Sequence, residues 1–266
     1  MTDQTLAAAD PRLAKACCAD LWAHPGVRLV AGEALRPGGL DLTRRALDRL
    51  DLRPGARVVD VGTGPGSTLR LLSERGLRPV GVEYGEALAQ EAAAAAPVVV
   101  GDGERLPVRS GAAGAVLMEC VLSAIPDKRA ALGEAARVLV SGGTLLLSDV
   151  MRSGPLPEPL GSFAGWIACA AGALPRAGYL GLLEEAGFEV THQEDHSPAL
   201  IDLIAQARRR LALLRVATAV GIVADLPVPV ALLDVADGLL EEGGRAVASG
   251  TLGYALFLAR RGGAFL

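Results

Sequence analysis

The ten residues Val58-Val59-Asp60-Val61-Gly62-Thr63-Gly64-Pro65-Gly66-Ser67 restrict the fold more than any other stretch of the chain. Val58 to Val61 is apolar and β-branched apart from Asp60, which suits a strand covered on both faces. Gly62, Gly64 and Gly66 let the backbone turn sharply and let a ligand lie against it. Thr68 to Glu74 then has the amphipathic spacing of a helix, with its first N–H groups facing the turn. Strand, glycine turn and helix in this order make a seat for a nucleotide-like ligand. The spacing is G-x-G-x-G rather than the G-x-G-x-x-G of dinucleotide sites, and an acidic residue precedes it. A carboxylate at Asp60 repels pyrophosphate and suits a cationic ligand.

The pattern then repeats. A helix over 68–75 stops at Gly76, and a strand from Pro79 to Glu83 follows. Glu83 falls about 20 residues beyond the glycines, where an acidic side chain can accept hydrogen bonds from both hydroxyls of a ribose. A helix over 86–96 leads to strand Val98–Val100 and to Gly101-Asp102-Gly103. Strand Ala115–Met118 delivers Glu119 and Cys120 to the same edge. Asp127 to Val138 reads as a helix, Ser141-Gly142-Gly143 as a turn and Thr144 to Asp149 as a strand. Short apolar strands alternating with helices predict a parallel sheet with both faces covered. Asp60, Glu83 and Asp102 all fall near strand carboxyl ends, the side on which such sheets bind ligands.

These motifs resemble those of class I methyltransferases dependent on S-adenosylmethionine (SAM). The resemblance covers residues 50–190 and includes the run Arg137-Val138-Leu139-Val140-Ser141-Gly142-Gly143-Thr144-Leu145-Leu146-Leu147-Ser148-Asp149. It implies an α/β, Rossmann-like seven-stranded sheet, mostly parallel with the last strand antiparallel. Residues 1–50 would form an N-terminal helical segment, 51–197 with 247–266 the SAM-binding domain, and 198–246 a helical insertion serving as a lid or a dimer surface. S-adenosyl-L-methionine would be the cofactor and S-adenosyl-L-homocysteine its product, with no metal required. Asp60, Gly62, Thr63, Gly64 and Gly66 would hold the methionine part. Glu83, beside Tyr84, would take the ribose, Asp102 and Gly103 the adenine, and Glu119 would join the cofactor set.

The acceptor must be held by residues after the fourth and fifth strands and by N-terminal elements. Glu119-Cys120-Val121 followed by Pro126-Asp127-Lys128, and Cys169-Ala170-Ala171-Gly172-Ala173-Leu174, resemble the two substrate-binding cysteine regions of arsenite methyltransferases. That resemblance implies that Cys120 and Cys169 hold a trivalent metalloid, with Cys17 or Cys18 as a third ligand. Soft ions bind thiolate sulfur well. Glu119 stands where that group has asparagine. The runs Arg36–Thr43 and Glu194–Ser197 look more like an uncharacterised bacterial branch of methyltransferases. A rival chemistry is an O-, N- or C-methyl transfer with His196 as base. A third reading is a non-catalytic SAM-binding regulatory module working through the helices of 198–245.

The chain's 266 residues suit one large α/β domain with an extension. A formal charge of −4 and the lack of basic clusters interleaved with aromatics argue against nucleic acid as a partner. A basic start with an apolar core is not seen at the N-terminus, nor is a charge-free apolar run long enough to span a bilayer. The expectation is a cytoplasmic chain with no membrane partner and with Cys17, Cys18, Cys120 and Cys169 reduced. Elsewhere the sequence predicts helix from Leu13 to Leu35, broken near His24-Pro25-Gly26, and from about Asp41 to Leu50. A loop over 151–165 and a helical turn over Trp166–Gly172 lead to a helix over Leu174–Gly187. A strand over Phe188–Glu194, helices broken at Pro227 and Pro229, and a last strand over Gly250–Arg260 complete the chain.

Overall fold

Alternation along the strands decides the layers. In the computed structural model, which describes residues 11–32, 36–162, 165, 169–220 and 230–262, β1 (Arg57–Val61) places Val59 and Val61 in one buried cluster and Val58 in another. β4 (Ala113–Glu119) divides in the same way, Val116 and Met118 against Ala115 and Leu117. So does β7 (Leu252–Arg261), with Ala255 and Phe257 against Tyr254 and Leu256. Both faces of the sheet are therefore apolar and both need helices. One face receives α6 (Lys128–Val138), through Leu132 and Ala135, and α7 (Arg176–Glu185), through Tyr179 and Leu183. The other receives α3 (Gly39–Leu47), α4 (Ser67–Glu74) and the end of α9 (Val230–Ala248).

The remaining strands are β2 (Arg78–Glu83), β3 (Val98–Val100), β5 (Leu139–Arg152) and β6 (Phe188–Asp195). The seven lie in the order β3-β2-β1-β4-β5-β7-β6. Pairings from β3 to β5 are parallel, and β7 runs antiparallel to both β5 and β6. This is the mostly parallel, seven-stranded sheet that the motifs imply.

Some boundaries differ from expectation. Ser141-Gly142-Gly143 is not a separate turn but an irregularity within β5, where Ala113 pairs with Leu139 and Ala115 already with Thr144; Gly142 takes φ 73° there. β5 also runs past Asp149 to Arg152, because β7 pairs along it as far as Leu252. The helix expected over 86–96 is shorter: α5 is Glu86–Ala92. Two helices precede the sheet, α1 (Pro11–Ala23) and α2 (Pro25–Ala31), and His24 Nδ1 accepts the Gly26 N–H at the start of α2. Between β6 and β7 lie α8 (Ser197–Ala219) and α9, which pack on each other. The breaks expected at Pro227 and Pro229, and residues 166–168 of the expected turn, lie outside the described residues; 169–172 are turn. Among the described residues no helix is long and apolar enough to cross a membrane.

Candidate functional site

A crevice opens at the carboxyl ends of β1, β2 and β4, with an empty volume of about 1000 Å³ that includes its mouth. The glycine turn forms its floor. Gly62 takes φ 68°, and a Cβ there would stand 2.3 Å from a methyl of Val121. Gly64 takes φ 54° and has nothing within 4 Å of where its Cβ would be, so the backbone is bare to the crevice. The turn ends at Gly66, which precedes α4.

Carboxylates surround this turn. Asp60 is 3% exposed and accepts the Thr63 hydroxyl at 2.7 Å. Burial, and then Glu119, push its carboxyl up to about 7. Glu83 accepts the N–H of Gly64 at 2.8 Å and of Gly85 at 3.0 Å, tying the ends of β1 and β2 together; burial raises its pKa too. Glu119, at the end of β4, accepts the hydroxyls of Thr43 at 2.7 Å and Thr68 at 3.2 Å. Arg36 reaches the same carboxylate at 3.2 Å and also donates to Thr43 and Thr68. α3 and α4 thus meet at a buried ion pair that forms one wall of the crevice.

The helix α1 covers the opposite wall. Lys15, 9% exposed, pairs with Asp102, lies 3.7 Å from Glu104 and sits 4.8 Å from the centre of the Tyr84 ring. Asp102 also accepts the Glu104 N–H at 2.8 Å. Gly103 lines the crevice beside Ile125 and Val61.

Three thiols meet at the inner end. Cys169 is hydrogen-bonded by the thiols of Cys120 and Cys18, with Ser123 and Lys128 close by, and these contacts hold its pKa well below the usual thiol value. The donors Cys120 and Cys18 are pushed up, first by that bond and then by burial. Cys120 and Cys169 take φ 58° and 63°, the non-glycine residues with positive φ among those described. Asp149, wholly buried at the end of this region, accepts the N–H groups of Ser123 and Val150 at 2.8 Å each; burial and then Cys169 raise its carboxyl to about 7. The thiols are linked through Cys169, and among the described residues no group of three or more His, Cys, Asp or Glu is disposed to hold a metal ion.

Two sequence candidates are not brought to this place. Cys17 is half-buried and does not line the crevice that Cys18 lines. His196 stands at the start of α8, beyond β7, and its Nε2 contacts Glu194 at 2.8 Å. Glu194 also meets His192 at 2.5 Å and Arg49 at 2.6 Å, and these partners, His192 first, hold its carboxyl down at about 2. His196 is thus part of a surface ion cluster and does not line the crevice.

The sequence reading missed Lys15, Arg36, Ser123 and Asp149. Asp149 carried the same signal as Asp60, Glu83 and Asp102, an acidic residue at a strand's carboxyl end. Arg36 sits in a turn motif, and nothing local says that it folds back onto Glu119, 83 residues along the numbering. Lys15 has no signal of its own.

Residues 59–147 match the protein-family profile described as a methyltransferase domain. A demethylmenaquinone methyltransferase of Corynebacterium efficiens is 36% identical over 107 residues, covering 40% of this chain and 46% of that protein. An arsenite methyltransferase of Halobacterium salinarum is 29% identical over 154 residues, 52% of this chain and 38% of that protein. The chain therefore spans less than half the length of these curated relatives. Among solved structures, a phosphoethanolamine N-methyltransferase of Haemonchus contortus superposes with a TM-score of 0.73 at 17% identity, covering 90% of this chain and 56% of that one.

Proposed function

We propose that this chain, a member of the class I SAM-dependent methyltransferases, transfers the methyl group of SAM to a small acceptor held at its thiol cluster, and that the acceptor is thiol-bound trivalent arsenic. The cofactor reading is supported by charge. Asp60, Glu83 and Glu119 crowd one bare glycine turn with Arg36 as the neighbouring cation. A ligand carrying a sulfonium, an ammonium and one carboxylate complements that set. In this reading Glu119 takes the ammonium, Arg36 the carboxylate, Glu83 the ribose hydroxyls and Asp102 the adenine amino group. Gly62, Thr63, Gly64 and Gly66 bring the backbone against the methionine part, with Asp60 behind it.

One observation carries the acceptor reading: Cys18, Cys120 and Cys169 come from α1, the end of β4 and the loop after β5, and converge beside the glycine turn. Thiolates suit a soft trivalent ion. As each cysteine sulfur bonds arsenic, its proton leaves with the thiolate or hydroxide that arsenic gives up. A lone pair on arsenic, aimed at the methyl carbon, forms an As–C bond as the C–S bond breaks. The bonding pair returns to sulfur, leaving neutral S-adenosylhomocysteine, and the positive charge passes to arsenic. The chain's task is placement at about 3 Å and in line. The arsenite methyltransferase relative supports this choice.

The test is turnover of arsenite with a thiol reductant, followed by S-adenosylhomocysteine release, in wild type and in Cys18→Ser, Cys120→Ser and Cys169→Ser. Losses of at least tenfold in the last two are expected. Full turnover in all three variants would remove arsenic as the substrate, and failure of the wild type to bind SAM would remove the cofactor.

A further inference from the structure

The segment Cys120–Ile125, between β4 and α6, belongs to both halves of the crevice, and two of its side chains fill notches that glycine leaves. Val121 rests on the glycine turn: a Cβ at Gly62 would stand 2.3 Å from one of its methyls and 3.1 Å from the other. Ile125 rests on the turn after β3, where a Cβ at Gly103 would stand 2.8 Å from its Cδ1. A larger residue at either glycine would push the segment away. Val121, Ile125 and Cys120 all line the crevice, and a 3-10 turn over Leu122–Ala124 joins them.

The backbone of the same segment is held from other elements. The Cys120 N–H donates to the Ser148 carbonyl at 2.7 Å and the Ser123 N–H to Asp149 Oδ2 at 2.8 Å, so the end of β5 grips it at two points. The Lys128 ammonium, at the start of α6, donates to the carbonyls of Ser123 at 3.3 Å and Ile125 at 2.8 Å. Ser123 is thus fixed at both its N–H and its carbonyl. Cys120 sits in this frame at φ 58°, a conformation that disfavours any residue with a Cβ. Backbone anchors on one side and glycine notches on the other confine the segment.

We infer that Cys120–Ile125 is the spacer between methyl donor and acceptor, and that Val121 is its positioning residue: seated on Gly62, it sets the gap between the glycine turn and Cys120. The inference rests on the function proposed above, with the methionine part of SAM on the glycine turn and the acceptor on Cys120. Methyl transfer is sensitive to that gap, since a misplacement of about 1 Å can cost roughly a hundredfold in rate. Removing the two methyls of Val121 leaves the groups that bind each partner in place and takes away the contact that spaces them.

The experiment compares wild type with Val121→Ala and with Val121→Thr, which keeps the branched shape. S-adenosylhomocysteine binding is measured by calorimetry, and methyl transfer from SAM to arsenite, with a thiol reductant, is followed in a single turnover. In V121A the single-turnover rate should fall about tenfold or more, while the S-adenosylhomocysteine Kd and the arsenite KM stay within about twofold of wild type. V121T should return most of the rate. A V121A rate close to that of wild type overturns the spacer, and so does a V121T as slow as V121A. A loss of S-adenosylhomocysteine affinity as large as the loss of rate also overturns it, because Val121 would then be only a wall of the cofactor seat. A wild type that binds S-adenosylhomocysteine but transfers no methyl to arsenite removes the acceptor reading itself, and the spacer with it.

Discussion

Replacing Asp60 with asparagine should stabilise the ligand-free protein while weakening its hold on SAM. Asp60 is 3% exposed, and burial followed by Glu119 and Glu83 raise its carboxyl from 3.8 to about 7. At about 1.36 kcal/mol per unit that shift amounts to a ceiling of about 4 kcal/mol. The sign follows from proton counts. Between the unfolded and folded values the native state keeps a proton that the unfolded chain gives up, so stability falls as pH rises through that window and levels off above about 7. Asparagine has the same shape, can still accept the Thr63 hydroxyl and never ionises. The advantage of D60N should therefore be small near pH ~4, grow through pH ~7 and reach a few kcal/mol above it. For a chain of this size that is a Tm difference of roughly 5–10 °C. Thermal melts of both proteins across a pH series, without ligand, measure it, and calorimetry with SAM should show at least a tenfold loss of affinity in D60N. A Tm difference that does not grow with pH, or a wild type more stable than D60N in alkaline buffer, would refute the claim that this carboxylate is held at the expense of the fold.

Other perturbations separate structure from binding. Gly62→Ala should cost about 2 kcal/mol or more of stability, since φ 68° strains any side chain and its Cβ would meet Val121 at 2.3 Å. Gly64→Ala, with nothing within 4 Å, should cost only the roughly 1–2 kcal/mol of its left-handed backbone yet lose SAM affinity, because its methyl enters the crevice; equal SAM affinity would show that the space is not the ligand's. His196→Ala should leave turnover and its pH profile unchanged, since that ring meets Glu194 outside the crevice; a lost basic limb in the profile would restore the histidine as a base. Cys17→Ser should retain full activity where Cys18→Ser does not, and equal loss in both would place Cys17 in the acceptor site.

Local pattern made the sheet legible. Val58–Val61, apolar but for Asp60, and Val98–Val100 are short runs that each end at a glycine, and such runs between helices suit strands. The strand order and the antiparallel β7 came from family resemblance, because no local signal says which strand a given strand pairs with. The limits of β5 were misplaced because pairing with β7 extends the strand beyond its own propensity. At the site, Asp60, Glu83, Asp102, Cys120 and Cys169 were visible as acidic or thiol side chains at strand ends and in the loop after β5. Arg36 and Lys15 were not, since each acts on a carboxylate distant in sequence, Glu119 and Asp102. His196 is offered as a base by its residue type, and residue type does not say whether a ring lines a crevice or, as here, meets Glu194 outside it.

The strain in this chain is not spread evenly. Holding a non-glycine residue at positive φ costs roughly 1–3 kcal/mol, and among the described residues Cys120 and Cys169 alone do so. Buried carboxylates raised to about 7 cost the ligand-free fold as well, and those are Asp60 and Asp149. All four lie around one crevice, Asp60 behind the glycine turn and the other three at the thiol end. Packing does not explain this, because apolar residues at 60 and 149 and glycine at 120 and 169 would suit the same backbone better. A fold that gathers unfavourable groups in one place gains from a ligand that relieves them. A cation relieves crowded carboxylates, and a thiophilic ion suits clustered thiols. The two ends of the crevice thus differ in chemistry, carboxylates at one and thiols at the other, as the proposed transfer from a cationic donor to a soft acceptor would need.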